Sequence, residues 1–159
     1  MIRLTTSTRR PRRRRRGFSL IELLTVMAVI GLLAAIGIPR YRDMKRRAYF
    51  ANIVSDFNTV RVASYNYFAD NSSYPPDGSA GAPPAAMIPY LPRNFTFDNG
   101  IYTLDYDVWP SPLNPQQLIV GVTVTSGDQE LLNMLARNVQ AGGMGLNVGN
   151  GYTYIFAGL

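Results

Sequence analysis

Glu22 is the residue of this chain whose placement most demands a chemical partner. It is the single charge in residues 18–38, FSLIELLTVMAVIGLLAAIGI, an apolar run of 21 residues. A carboxylate near the edge of a bilayer core costs on the order of 2–3 kcal/mol, so intramembrane acids tend to be paired. Glu22 lies four residues past Phe18, one helical turn away. If the chain is cut between Gly17 and Phe18, a new α-amine appears at the helix start, where a negative side chain also suits the helix dipole. That amine partly compensates Glu22 of its own chain. An amine from a neighbouring subunit compensates it while also setting the axial stagger between helices. Two plainer readings compete. One is an ordinary signal peptide cut after Gly37, whose apolar core would exceed the usual length of about 7–15 residues. The other is a signal anchor in which Glu22 is incidental and reaches for the interface.

Little other chemistry is available. The chain has no cysteine, no histidine and one lysine, Lys45. Ser-His-Asp and Cys-His nucleophile systems, thiolate sites and histidine-ligated zinc are therefore excluded. Asp98, Asp105, Asp107 and Asp128 are weak candidates for gathering oxygen ligands around calcium. Their spacing matches no EF-hand, and Asp105 and Asp107 alternate as the solvent face of a strand does. No cleft-forming pattern accompanies them, so catalysis by paired carboxylates is not expected. The expectation is a protein that is not an enzyme and needs no cofactor.

Charge is distributed in three blocks. Of 16 basic residues, eight precede Phe18, at positions 3, 9, 10 and 12–16, with no acid among them. Removing residues 1–17 leaves eight bases against ten acids, so a net charge of +6 becomes −2. Residues 18–47 keep five bases (Arg40, Arg42, Lys45, Arg46, Arg47) against two acids, and residues 48–159 keep three against eight. A basic neck under an acidic head follows from cleavage. The arginine cluster stays cytoplasmic under the positive-inside rule, which places the rest of the chain outside. Nucleic-acid binding through that cluster would require the leader to be retained and exposed, and is not the default.

Arg16-Gly17-Phe18-Ser19-Leu20-Ile21-Glu22, after a basic leader and at the head of an apolar run, resembles the precursor signature of the type IV pilin-like family. The resemblance implies a membrane peptidase that cuts after Gly17 and methylates Phe18, with Glu22 as the carboxylate that guides assembly. Pro39 falls where such proteins commonly bend their helix. Tyr74-Pro75 is similar to the tyrosine-proline ending of the first helix in many of them, and some pseudopilin heads bind calcium. The family implies a structural subunit of a type IV pilus-like filament, with a pseudopilin of a type II secretion system as the alternative. The implied partners are further copies or related pilin subunits, the prepilin peptidase and methylase, and an assembly platform in the inner membrane. The implied location is that membrane, single-pass with the head outside, and then a filament. A signal-anchored exported enzyme remains a more distant alternative.

These groups need elements to position them. Residues 18–38 as a helix span about 31 Å, near the thickness of a hydrocarbon core. Past Pro39 the chain reads as an amphipathic helix over 39–70, with Phe50, Ile53/Val54, Phe57, Val60 and Tyr67/Phe68 at helical spacing. Gly31, Gly37 and Pro39 weaken the helix between its two halves. The basic residues Arg40, Arg42, Lys45, Arg46 and Arg47 suit lipid headgroups before assembly and acids of adjacent heads in a filament. A Pro/Gly/Ser-rich loop occupies 71–94. The head, 95–159, alternates with period two over 101–109 and 117–125, the second with Leu118, Val120, Val122 and Val124 inward. Asp98-Asn99-Gly100 turns residues 95–97 into the first strand. Ser126-Gly127-Asp128-Gln129 supplies a capping box for a short helix at about 128–139, with Leu131, Leu132, Leu135 and Val139 inward. Gly142-Gly143 stops that helix, and Gly149-Asn150-Gly151 leads into a last strand, 152–156. The predicted class is α+β: a long N-terminal helix, membrane-spanning in its first half, packed against a small, mostly antiparallel sheet.

Overall fold

The computed structural model describes residues 17–139 and 144–158. The arginine cluster at 3–16 and the Gly142-Gly143 stop lie outside them. The chain divides into two compact units, Met1–Arg42 and Asp43–Leu159, and helix α1, Leu20–Asn71, carries residues of both. Its first half holds an 18-residue window of mean hydropathy 2.4 with none of it buried. Such a helix has the length and composition to cross a membrane. The helix continues through Gly31, Gly37 and Pro39. Pro39 has no N–H to give the carbonyl of Ala35, so one rung of the ladder is missing there.

From Asp43 on, α1 has an inward stripe of Ile53, Phe57, Val60, Ala63 and Ser64. The stripe departs from expectation at its end, where Phe68 is 41% exposed. Small residues take its place: Ala63 and Ser64 are buried, and the Ser64 hydroxyl bonds the Tyr106 phenol at 3.0 Å. The helix stops where Ser72 turns left-handed (φ 54) and its N–H bonds the Phe68 carbonyl. This arrangement satisfies a terminal carbonyl without a glycine.

The head sheet has four strands: β1 (Tyr102–Pro110), β2 (Leu118–Ser126), β3 (Met144–Val148) and β4 (Gly151–Ala157), in the order β1-β2-β4-β3, every neighbour antiparallel. Tyr102, Leu104 and Tyr106 of β1 and Val120, Val122 and Val124 of β2 enter one core with the α1 stripe. Leu118, expected inward, pairs with Pro110 at the end of the ladder and is 45% exposed. Residues 95–97 form no strand; Asp98 makes an isolated bridge with Thr103. The connection between α1 and β1 fills the core as well, through Met87 and Phe97, both fully buried. It also covers the outer edge of β1. Gly78 and Gly81 N–H groups bond the Tyr106 and Leu104 carbonyls, Leu104 N–H bonds the Phe97 carbonyl, and Val108 N–H bonds an Asp77 oxygen.

Two glycines allow close approach within the sheet. A β-carbon at Gly121 would meet the Tyr154 carbonyl at 3.0 Å and the Trp109 ring at 3.2 Å. One at Gly145 would land on the Tyr152 hydroxyl. The β2–β4 register shifts between Val120 and Gly121, placing Phe156 as an extra residue in β4. Such bulges re-aim backbone and side chain; here the Phe156 carbonyl accepts the Tyr65 hydroxyl at 2.7 Å and its ring stands edge-on to Tyr65.

Helix α2, Gln129–Asn138, buries Leu131, Leu132 and Leu135. Its cap is Asp128 and not the expected Ser126: the Asp128 carboxylate accepts from the N–H groups of Glu130 and Leu131. Ser126 instead donates to the Ile101 carbonyl and accepts from the Asp128 N–H. A carboxylate placed two residues later reaches the first-turn amides better than the serine does.

Candidate functional site: the helix start and the basic neck

Gly17 and Phe18 precede the first helical turn, and Phe18 is 71% exposed. The Ser19 carbonyl accepts the first bonds, from Glu22 N–H at 3.0 Å and Leu23 N–H at 3.2 Å. Glu22 thus occupies the first turn, where amides without intrahelical partners carry partial positive charge. It has no ion pair among the described residues. A lone carboxylate here is oriented by the helix and remains available to an external cation.

The five basic residues of the neck differ in their surroundings. Arg40, Arg42 and Arg47 are exposed and form no ion pair among the described residues. The Lys45 ammonium stands 5.5 Å from the Tyr49 ring centroid, a cation–π contact. Arg46 is held by its own head. Its Nε–H donates to Asp128 Oδ2 at 2.8 Å, its Nη1 contacts Glu130, and Asp43 lies 3.9 Å from that same Nη1. The hydrogen bond to Asp128 raises the Arg46 pKa above its ordinary value. Burial pushes the Asp128 carboxyl up, but bonds from Arg46 and from the Leu131 and Glu130 amides outweigh it, and its pKa ends lowered. One carboxylate therefore caps α2 and fastens α1 to it.

The other acidic candidates do not converge. Among the described residues no group of three or more His, Cys, Asp or Glu side chains is placed to hold a metal ion. Asp98 closes a turn by accepting Gly100 N–H at 2.8 Å. Asp107 accepts the Thr123 hydroxyl. Asp105 lies on the strand face away from the core and is half-buried there; burial, Asp107 and Asp77 together push its pKa up to about 6. Sequence reasoning overlooked Asp77, whose contact with β1 spans 31 positions, a separation that no local pattern reveals.

Known proteins agree with this geometry. The family described as the prokaryotic N-terminal methylation motif matches residues 12–38. Type II secretion system core protein G of Dickeya chrysanthemi is 33% identical over 99 residues, covering 61% of this chain and 65% of that protein. The core protein G of Pectobacterium carotovorum is 32% identical over 109 residues, covering 65% and 70%. A type IV major pilin protein of Neisseria gonorrhoeae is 34% identical over 91 residues, covering 55% and 42%. The chain thus spans about two thirds of these secretion proteins and less than half of this pilin. No solved structure matches it significantly. The chain belongs to the type IV pilin-like family that includes type II secretion core protein G and the type IV pilins, and it carries that family's N-terminal methylation motif.

Proposed function

We propose that the chain is a structural subunit of a type IV pilus-like filament and has no catalytic role. It is made as a precursor, cut between Gly17 and Phe18, methylated on the Phe18 amine, and anchored in the inner membrane with its head outside. Glu22 then accepts the amine of a neighbouring subunit and fixes the axial step, while a prepilin peptidase and an inner-membrane platform act before and during assembly. Residues 18–38 anchor the subunit and then line the filament interior, residues 39–70 join them to the head, and Pro39 is the site where the helix bends. Exposed Arg40, Arg42 and Arg47 contact lipid headgroups first and acidic neighbours later.

The observation that carries this reading is the methylation motif over 12–38 coinciding with an exposed apolar helix whose lone charge, Glu22, sits in the first turn. The test is the N-terminal sequence and mass of the mature protein, together with assembly by Glu22→Ala. A start at methylated Phe18, with assembly by the variant reduced at least tenfold, supports the reading. A mature start after Gly37, or normal assembly by the variant, overturns it.

A second reading, a pseudopilin of type II secretion, is favoured by alignment coverage, since 70% of one core protein G is matched against 42% of the pilin. Deleting the chain separates the two: accumulation of exported proteins in the periplasm indicates the pseudopilin, and loss of long surface filaments indicates the pilin.

A further inference from the structure

On one flank of the head, an α1 turn carrying Asn52, Ser55 and Asp56 faces the segment before β1 across a cleft of about 260 Å³. Almost all of its wall is neutral and hydrogen-bonding. Asn94 and Asn99 add two more carboxamides, Thr96 a hydroxyl and Tyr102 a phenol. Asn94 is held left-handed, at φ 65, a conformation that few non-glycine residues adopt. The Phe95 ring is half-buried and fixed edge-on to Phe97 at 5.8 Å.

Much of this hydrogen-bonding capacity is unused. Asp56 accepts the Tyr102 phenol at 2.6 Å through one oxygen, which leaves the other. The Thr96 hydroxyl donates to Asn99 Oδ1, which leaves the two amide hydrogens of Asn99. The side chains of Asn52, Ser55 and Asn94 make no hydrogen bond among the described residues.

The wall composition selects among ligands. Calcium takes six to eight oxygens, commonly several of them charged; this cleft has one carboxylate, already shared with a phenol. An anion finds no cation here and is opposed by Asp56. An apolar molecule would strand the amides without partners, at a cost of about 1–3 kcal/mol each. A neutral molecule dense in hydroxyls fits, because each hydroxyl both donates and accepts. Adjacent hydroxyls span the two ends of a carboxamide or the two oxygens of a carboxylate. The volume lies just under the roughly 300 Å³ at which pockets for drug-sized ligands begin, and so suits one sugar ring.

We propose that this cleft is a saccharide-binding site that takes the terminal neutral hexose of a glycan. Asn52, Ser55, Asp56 and the Asn99 amide meet its hydroxyls, and Phe95 offers an apolar surface to its C–H face. This inference does not depend on filament assembly.

The test uses the full chain solubilised in a phosphocholine detergent, since glucoside and maltoside detergents would compete. Saturation-transfer NMR is recorded with methyl α-glucoside, methyl β-galactoside and methyl α-mannoside. Saturation of at least one, with a dissociation constant in the millimolar range, is expected. Asn52→Ala and Ser55→Ala change exposed residues and should abolish that saturation while the near-UV spectrum is unchanged. Asn58→Ala, outside the cleft, should leave it intact. No saturation of any of the three sugars overturns the proposal, as does saturation that survives both cleft variants. Stoichiometric binding of calcium chloride, lost in Asp56→Asn, overturns it equally.

Discussion

Asp105 sits where β1 brings it beside Asp107 and near Asp77, and the folded chain holds its proton more tightly than the unfolded chain does, at about 6 against 3.8. A folded pKa above the unfolded one contributes stability that is complete below the unfolded value and lost as pH rises through the folded one. Wild type should therefore lose stability between pH 4 and pH 6 relative to Asp105→Asn, which cannot ionise. After solvent screening the difference at pH 7 should be about 1 kcal/mol in favour of the variant. Paired melts across that range check this, and parallel curves would refute it. Asp128 has the opposite sign: its lowered pKa contributes stability above the ordinary carboxylate range and withdraws it on acidification. It titrates in both proteins and cancels. The sequence places Asp105 and Asp107 on one strand face, but not Asp77 opposite them. Nor does it show Gly145 as the space for Tyr152, whose buried hydroxyl has no hydrogen-bond partner among the described residues. Gly145→Ala should displace that phenol and cost about 1–3 kcal/mol in a denaturant titration.

Elements with a strong period were legible, and those fixed by distant contacts were not. The alternation over 101–109 and 117–125 leads to β1 and β2, each displaced by a single residue; in β1 it survives as one buried face, which leaves few alternative registers. The three leucines of α2 were legible for the same reason. β3 is Met144–Val148, MGLNV, five residues rich in neither β-branched nor aromatic side chains, and only its pairing with β4 defines it. Met87 and Phe97 lie in a segment that reads as a loop, yet they enter the core with α1 and the sheet. The cap of α2 is Asp128 and not Ser126, and while one carboxylate oxygen accepts the helix amides the other binds Arg46, 82 positions away. This dual use separates by substitution. Asp128→Ala loses cap and ion pair and should cost about 1–2 kcal/mol. Asp128→Asn keeps a competent cap and should cost distinctly less, with its melting temperature between the two. Equal losses would show that the cap contributes nothing.

At the scale of the molecule, the packed core draws on α1 only from Tyr49 onward, and the apolar window of the first half contributes no buried residue. A chain starting at Asp43 should therefore be soluble without detergent and keep the near-UV spectrum of the full protein, whereas the full chain should aggregate once detergent is withdrawn. A truncated head that melts without cooperativity would contradict this division. The N-terminal part was the most legible region, since spacing alone isolates Glu22 in its run and the motif match covers the same residues. The cleft beside Asp56 was invisible, because its wall comes from α1 and from a segment some 40 positions later. The covered flank of β1 bears on how such proteins crowd together. A subunit of a filament is crowded among identical copies, the condition under which bare sheet margins zip into insoluble ribbons. With Gly78, Gly81 and Asp77 already occupying that margin, the copies can become dense without seeding aggregates along this side.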